Sequence, residues 1–353
     1  MTAEDGSDLR TADFDYPLPE DLVASHPADQ RDESRLLVLD RTTGSLSDRR
    51  FPDLLTYLAA GDALVLNDTR VFPARLLGRK PTGARAEVLL LRPLPEYEGD
   101  RVWQALVRPG GKLKPGREVE IGEQFTVIIE DSFEDGSRRV RLEGAGDPWE
   151  LIESHGEVPL PPYIDRPGEA SDRERYQTVY ARERGSVAAP TAGLHFTADL
   201  LEKVEALGVS VVRITLHVGV GTFRPVDADR VEDHRMHAER YDVPDASARL
   251  LNRVREGGGR VWAVGTTAAR TLETVVSDEG TYRPGAGWTD LFIRPPHRFL
   301  AVDGLLTNFH LPKSSLLMLV AALAGRENVL RAYDHAIAMR YRFYSYGDAM
   351  LVV

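Results

Sequence analysis

The chain changes texture twice along its length, and this double change limits its fold more than any single motif. Between about residues 71 and 154 it shows short β-type runs at 87–91, 102–107, 118–121, 125–130 and 138–142. Turn-forming stretches separate them, at Arg108-Pro-Gly-Gly, Lys114-Pro-Gly and Glu134-Asp-Gly. Short strands punctuated by Gly and Pro predict a small β-barrel. On either side, strands alternate with helices. Residues 63–67, 209–216, 260–264 and 305–308 read as strands, and 197–207, 245–256, 267–276, 314–324 and 329–339 as helices. Gly208 supplies a C-cap for the first of these helices. The alternation predicts an α/β class, with a mixed sheet flanked by helices on both faces. The expected division is a discontinuous α/β domain from 13–70 and 155–353, an inserted β-barrel domain at 71–154, and a flexible polar tail at 1–12.

Composition narrows the chemistry. At 353 residues the chain is long enough for two domains. It has no cysteine, which excludes disulfides, thiolate nucleophiles, cysteine-ligated zinc and iron–sulfur clusters. No run approaches the roughly 20 apolar residues of a membrane span, and the N-terminus lacks a basic region followed by an apolar one. A cytoplasmic protein without a membrane partner is expected. The net charge of −11 argues mildly against nucleic acid, although local patches count for more than totals.

Four predicted strands run into polar loops, where open α/β sheets bind ligands. These are Asn67-Asp68-Thr69-Arg70, His217-Val-Gly219-Val-Gly221-Thr222-Phe223, Gly265-Thr266-Thr267, and Asn308-Phe309-His310-Leu-Pro-Lys313. One such loop is ordinary turn chemistry; four predict a shared pocket. Gly265-Thr266-Thr267 opens a helix, so its free N–H groups suit a carboxylate, with Arg270 one turn further in. Thr191, Gly193, His195 and Phe196 form another small-residue stretch before a helix, where His195 is either a general base or a core histidine. His234, His237 and Glu239 invite a metal reading, but the spacing lacks the glutamate between two histidines four apart, and no second cluster completes a site. Polar contacts to a substrate are preferred, and no metal is expected. Gly219 and Gly221 lack the third glycine of a dinucleotide fingerprint. Arginines mix with aromatics at Trp288–Phe299, including Asp290, Arg294, His297 and Arg298, and again at Arg340, Arg342, Tyr344 and Tyr346. That mixture suits unpaired nucleotides, while its plainer alternative is amphipathic packing.

At these residues the chain closely resembles the S-adenosylmethionine:tRNA ribosyltransferase-isomerase family of queuosine biosynthesis. The stretches that carry the resemblance include Asp13-Phe-Asp-Tyr-Pro-Leu-Pro19, Ser34–Asp40, Asn67–Val71, Pro190–Thr197, Leu216–Phe223, His237-Ala-Glu239, Gly265–Thr267, Thr289–Ile293, Thr307–Lys313 and Tyr344–Asp348. The resemblance implies an α/β domain with an inserted barrel. It also implies that S-adenosylmethionine serves as ribosyl donor, that 7-aminomethyl-7-deazaguanine in the tRNA anticodon accepts, and that epoxyqueuosine-tRNA, adenine and methionine result. S-adenosylmethionine is then a co-substrate, with no tightly bound cofactor and a monomeric enzyme expected. Proton transfer needs a base near the sulfonium and one near the amine; His195, His217, His310, Glu239, Asp68 and Asp290 are the candidates. Lys313 joins the arginine–aromatic stretches as an RNA contact. Two rivals are a methyltransferase using the same donor, whose usual glycine-rich loop is missing, and a non-catalytic RNA-binding module.

Overall fold

The computed structural model describes residues 9–219, 221 and 226–353. In chain order the strands of its first part are β1 (Arg35–Leu39), β2 (Leu46–Arg50), β3 (Ala63–Asn67) and β4 (Thr69–Val71). The barrel follows with β5 (Arg75–Arg79), β6 (Arg85–Pro93), β7 (Val102–Arg108), β8 (Glu118–Gly122), β9 (Phe125–Ser132) and β10 (Arg138–Gly144). Then come α1 (Pro148–His155), α2 (Asp172–Arg175), β11 (Glu183–Ser186), α3 (Ala198–Ala206), β12 (Ser210–Leu216), β13 (Glu239–Val243), α4 (Asp245–Glu256), β14 (Val261–Val264) and α5 (Thr266–Val275). The chain closes with β15 (Gly285–Thr289), β16 (Gly304–Asn308), α6 (Ser315–Ala324), α7 (Arg326–Ala338) and β17 (Ala349–Val352).

Side chains alternate across a strand, so a continuous apolar run serves two cores. Leu37 and Leu39 of β1, Ala63 and Val65 of β3, and Val261 and Ala263 of β14 pack beneath Leu251 of α4, Leu272 of α5, Leu319 of α6 and Tyr333 of α7. Their neighbours Leu36, Val38, Leu64, Leu66, Trp262 and Val264 face the other way, onto Leu200 and Val204 of α3 and Phe51. Among the described residues this gives a nine-stranded sheet in the order β15-β13-β12-β3-β14-β16-β17-β1-β2. The expected mixed sheet, covered on both faces, is therefore present.

The inner strands β12, β3, β14 and β16 are parallel, so Leu216, Asn67, Val264 and Asn308 end at one edge. Antiparallel β17 begins there, with Ala349 opposite Asn308. Antiparallel β13 also begins there, placing Tyr241 opposite Leu216. The barrel closes as β10-β7-β6-β5-β8-β9. Its interior holds Val88, Leu90, Trp103, Val127, Ile129 and Val140, joined by Ile152 of α1. The parallel pair β4–β11 flanks the entry to the barrel and the return from it.

Residues 9–12 do not behave as the loose tail expected of them. Thr11 donates its N–H to the Asp229 carbonyl at 2.9 Å and its hydroxyl to the Ala228 carbonyl at 2.5 Å. Residues 1–8 lie outside the described residues. Among the described residues, no helix is long and apolar enough to cross a membrane.

Candidate active site

Asn67, the last residue of β3, ties three elements together. Its amide oxygen accepts from the N–H of Leu216 (3.0 Å) and of Thr69 (3.2 Å). Its amide nitrogen donates to the Leu216 carbonyl (3.0 Å) and the Thr267 hydroxyl (3.1 Å). All four hydrogen-bonding positions of the amide are thus filled from within. Next to it, Thr69 Oγ1 lies 2.8 Å from His217 Nδ1. Asp68 accepts the Thr215 hydroxyl at 2.7 Å, and burial holds its carboxyl above the usual range.

The end of β16 builds a second network. The Asn308 amide nitrogen donates to the Tyr344 carbonyl (3.2 Å) and to His195 Nε2 (3.1 Å). A backbone carbonyl partner fixes which end of the amide is nitrogen. His195 Nε2 therefore accepts, and its Nδ1 carries the proton toward Ser34 Oγ, 2.7 Å away. Asn308 Oδ1 is buried with no hydrogen-bond partner among the described residues. Thr307 Oγ1 lies 2.7 Å from His310 Nε2. Burial pushes His195 down to about 4 and His310 to about 3. Burial, assisted by Arg240, pushes His217 to about 4. All three imidazoles are consequently neutral near pH 7.

Glu239 opens β13 and forms a buried ion pair with Arg270 of α5. The Gly219 N–H donates to the same carboxylate at 2.9 Å, and Arg270 Nε donates to the Leu291 carbonyl at 3.2 Å. The charge of Arg270 is thus spent on Glu239, and Arg270 does not border the cavities. Gly265, at φ +88, turns the chain from β14 into α5.

The ends of β12, β14 and β16 and the start of β13 border two adjoining spaces, whereas residues 67–70 line neither. The inner one, about 40 Å³, is bordered by Thr191, Gly265, Thr266, Thr267, Asn308 and His310, with Tyr163 and Tyr344. The outer cleft, about 570 Å³, has His217, Gly219, Gly221, His234, His237 and Glu239 on the sheet side and Arg92, Gln104 and Trp149 on the barrel side. Val218 borders both. The outer volume lies within the roughly 300–1,000 Å³ of small-molecule sites; the inner one accepts only a small polar end group.

The family model described as "Queuosine biosynthesis protein" matches residues 11–352. The chain belongs to this family. It is 54% identical, over 98% of its length, to the S-adenosylmethionine:tRNA ribosyltransferase-isomerases of Symbiobacterium thermophilum and Syntrophomonas wolfei, covering 100% and 97% of those proteins. It is also similar to the crystal structure of S-adenosylmethionine tRNA ribosyltransferase from Thermotoga maritima, at 40% identity and a TM-score of 0.56, over 97% of this chain and 100% of that one.

The edge of this queuosine biosynthesis protein does not gather every residue singled out from sequence. Phe196 is buried against Phe51, ring centroids 5.1 Å apart, as part of the core. A Cβ on Gly193 would stand 2.0 Å from the Tyr180 hydroxyl, so that glycine answers to packing. Asp290 and Arg70 are exposed, and neither they nor Asp68 border the two spaces. Thr222 and Phe223 lie outside the described residues. His234 and His237 follow a short 3-10 turn at Val231–Asp233, not a helix, and among the described residues no three His, Asp or Glu gather as metal ligands.

The residues considered for RNA contact are mostly engaged within the protein. Tyr346 is buried and donates to Asp172 (2.8 Å), and Tyr344 faces inward. His297 lies 3.3 Å from Glu273, Lys313 2.8 Å from Asp15 and Arg340 2.7 Å from Asp21. Arg294 donates to the Pro295 carbonyl (3.2 Å) and Arg342 to that of His26, while Arg298 is exposed. The sequence reading missed Arg92, Gln104, Trp149 and Arg184, which the barrel and its return segment bring to the cleft. No local signal marks them, because only the docking of the barrel puts them there.

Proposed function

We propose that this chain is an S-adenosylmethionine:tRNA ribosyltransferase-isomerase. It transfers and isomerises the ribosyl moiety of S-adenosylmethionine onto 7-aminomethyl-7-deazaguanine at the tRNA anticodon, leaving epoxyqueuosine-tRNA, adenine and methionine. The observation that carries this reading is the convergence of four polar strand-end loops on one sheet edge, with a nucleoside-sized cleft beside a narrow polar recess. S-adenosylmethionine acts as co-substrate with no tightly bound cofactor, in a cytoplasmic, monomeric enzyme.

The roles follow from position. The free N–H groups at the start of α5, with Thr266 and Thr267, hold the methionine carboxylate in the recess. The nucleoside and the flipped base share the cleft. The sulfonium makes the adjacent 5′ C–H acidic, and a neutral imidazole can take that proton. His217 borders the cleft, and its Nε2 has no hydrogen-bond partner among the described residues; His310 borders the recess with Nδ1 in the same state. Burial disfavours the imidazolium, so the proton must be passed on rather than held. His195 has both ring nitrogens engaged and serves as a positioning residue for Asn308. Of the three carboxylates named from sequence, Glu239 borders the cleft while Asp68 and Asp290 do not, which places it ahead of them for accepting the amine proton.

Purified protein, S-adenosylmethionine and tRNA bearing the aminomethyl base are expected to release adenine and methionine in equal amounts. Release of S-adenosylhomocysteine would instead make the protein a methyltransferase. Binding of the tRNA without consumption of S-adenosylmethionine would make it an RNA-binding module.

A further inference from the structure

We propose that Trp288 and Arg92 form a clamp across the cleft for an unpaired nucleotide of the RNA substrate, with Trp288 stacking on the base and Arg92 closing over it from the barrel. The inference rests on the tRNA-modifying reading above and adds how the RNA is gripped.

Trp288 lies on β15, at the outer edge of the sheet, and is 52% exposed, whereas Trp103 and Trp262 are 0% and 2% exposed. Such a surface is what a stacking platform needs, since every base offers a π-face. The guanidinium of Arg92, on β6 of the barrel, stands 5.1 Å from the centre of the Trp288 ring. A planar cation there marks the place a planar base can take. Arg92 donates through Nε to Gln104 at 2.9 Å and has no carboxylate partner among the described residues, so its charge is available to RNA. Both residues border the cleft that holds His217, Gly219 and Glu239, which puts the stacked nucleotide next to the one being modified. The two halves of the clamp come from different parts of the fold, so RNA binding would also fix the barrel against the sheet.

The test uses intrinsic fluorescence, because the chain has four tryptophans and only Trp288 is largely exposed. A synthetic anticodon stem-loop RNA is titrated into the full chain, and tRNA conversion is assayed on the same preparations. The RNA is expected to quench the wild-type emission. Trp288→Phe should lose the larger part of that quench, with Trp149 at the same cleft keeping the rest, while binding within about twofold, because a ring remains. Trp288→Ala should weaken binding about 5- to 150-fold, the range for one lost stacked base, with melting temperature unchanged. Arg92→Ala should weaken binding too, and should make it less sensitive to salt. Wild-type affinity in Trp288→Ala, or a quench undiminished in Trp288→Phe, would overturn the clamp while leaving the enzymatic reading intact if the wild type still converts tRNA. A wild type that neither binds nor converts tRNA would overturn both.

Discussion

Replacing Arg270 with methionine is expected to cost about 3–5 kcal/mol of folding stability, the usual result of stranding a buried charge. Arg270 is 3% exposed and Glu239 6%. Removing the guanidinium takes the Arg270 half of the buried pair away from the Glu239 carboxylate. The ion pair itself adds little net stability, because both charges were desolvated to make it. The loss therefore lies in the buried charge that Arg270 no longer balances, and Arg270→Met combined with Glu239→Gln should recover most of it. The glutamine keeps an acceptor for the Gly219 N–H and carries no charge. Urea unfolding of the single and double variants measures both. A single variant within about 0.5 kcal/mol of wild type would show that the pair is not buried as described. Activity should fall with Arg270→Met as well, because Glu239 is the link between α5, which forms the recess, and the Gly219 loop, which forms the cleft.

Asn67→Ala is expected to cost about 3–6 kcal/mol. The substitution leaves the Leu216 N–H and carbonyl, the Thr69 N–H and the Thr267 hydroxyl short of a partner, at about 1–3 kcal/mol for each buried group left unpaired. These losses are not additive, since the loops can shift to satisfy some groups. S-adenosylmethionine affinity should fall in the folded fraction too, because β3, β12 and α5 are no longer tied at the edge where they meet. Calorimetric titration reads that loss separately from unfolding. Full stability with full affinity would mean that the amide is not the link its geometry describes.

Much of this architecture is legible in the sequence because the signals are local. The strand at 63–67 and the helix at 245–256 match β3 and α4 residue for residue, since an unbroken apolar run and a 3.6-residue period each specify their element directly. The elements that escape notice lack such signals. β2 reads Leu-Ser-Asp-Arg-Arg and lies on an exposed edge. β13 reads Glu-Arg-Tyr-Asp-Val, with its charged residues hiding the alternation. β17 is only four residues long. Among site residues the difficulty is burial. Phe196, Tyr346 and Trp288 are all aromatic, yet two are packed inside and one is exposed beside an arginine of the barrel. Residue type cannot separate these cases, because burial is decided by contacts between segments distant in sequence. The strand-end loops were legible for the opposite reason: in a parallel sheet the carboxyl ends of the strands share one edge by construction.

Amide hydrogen exchange in the presence and absence of S-adenosylmethionine examines that shared edge most directly. If one ligand sits across the recess and the cleft, exchange should slow together in 217–219, at the first turn of α5 and in 308–310, while the barrel strands far from the cleft stay unchanged. Protection confined to one of these loops, or appearing only inside the barrel, would mean that the loops do not form a common site.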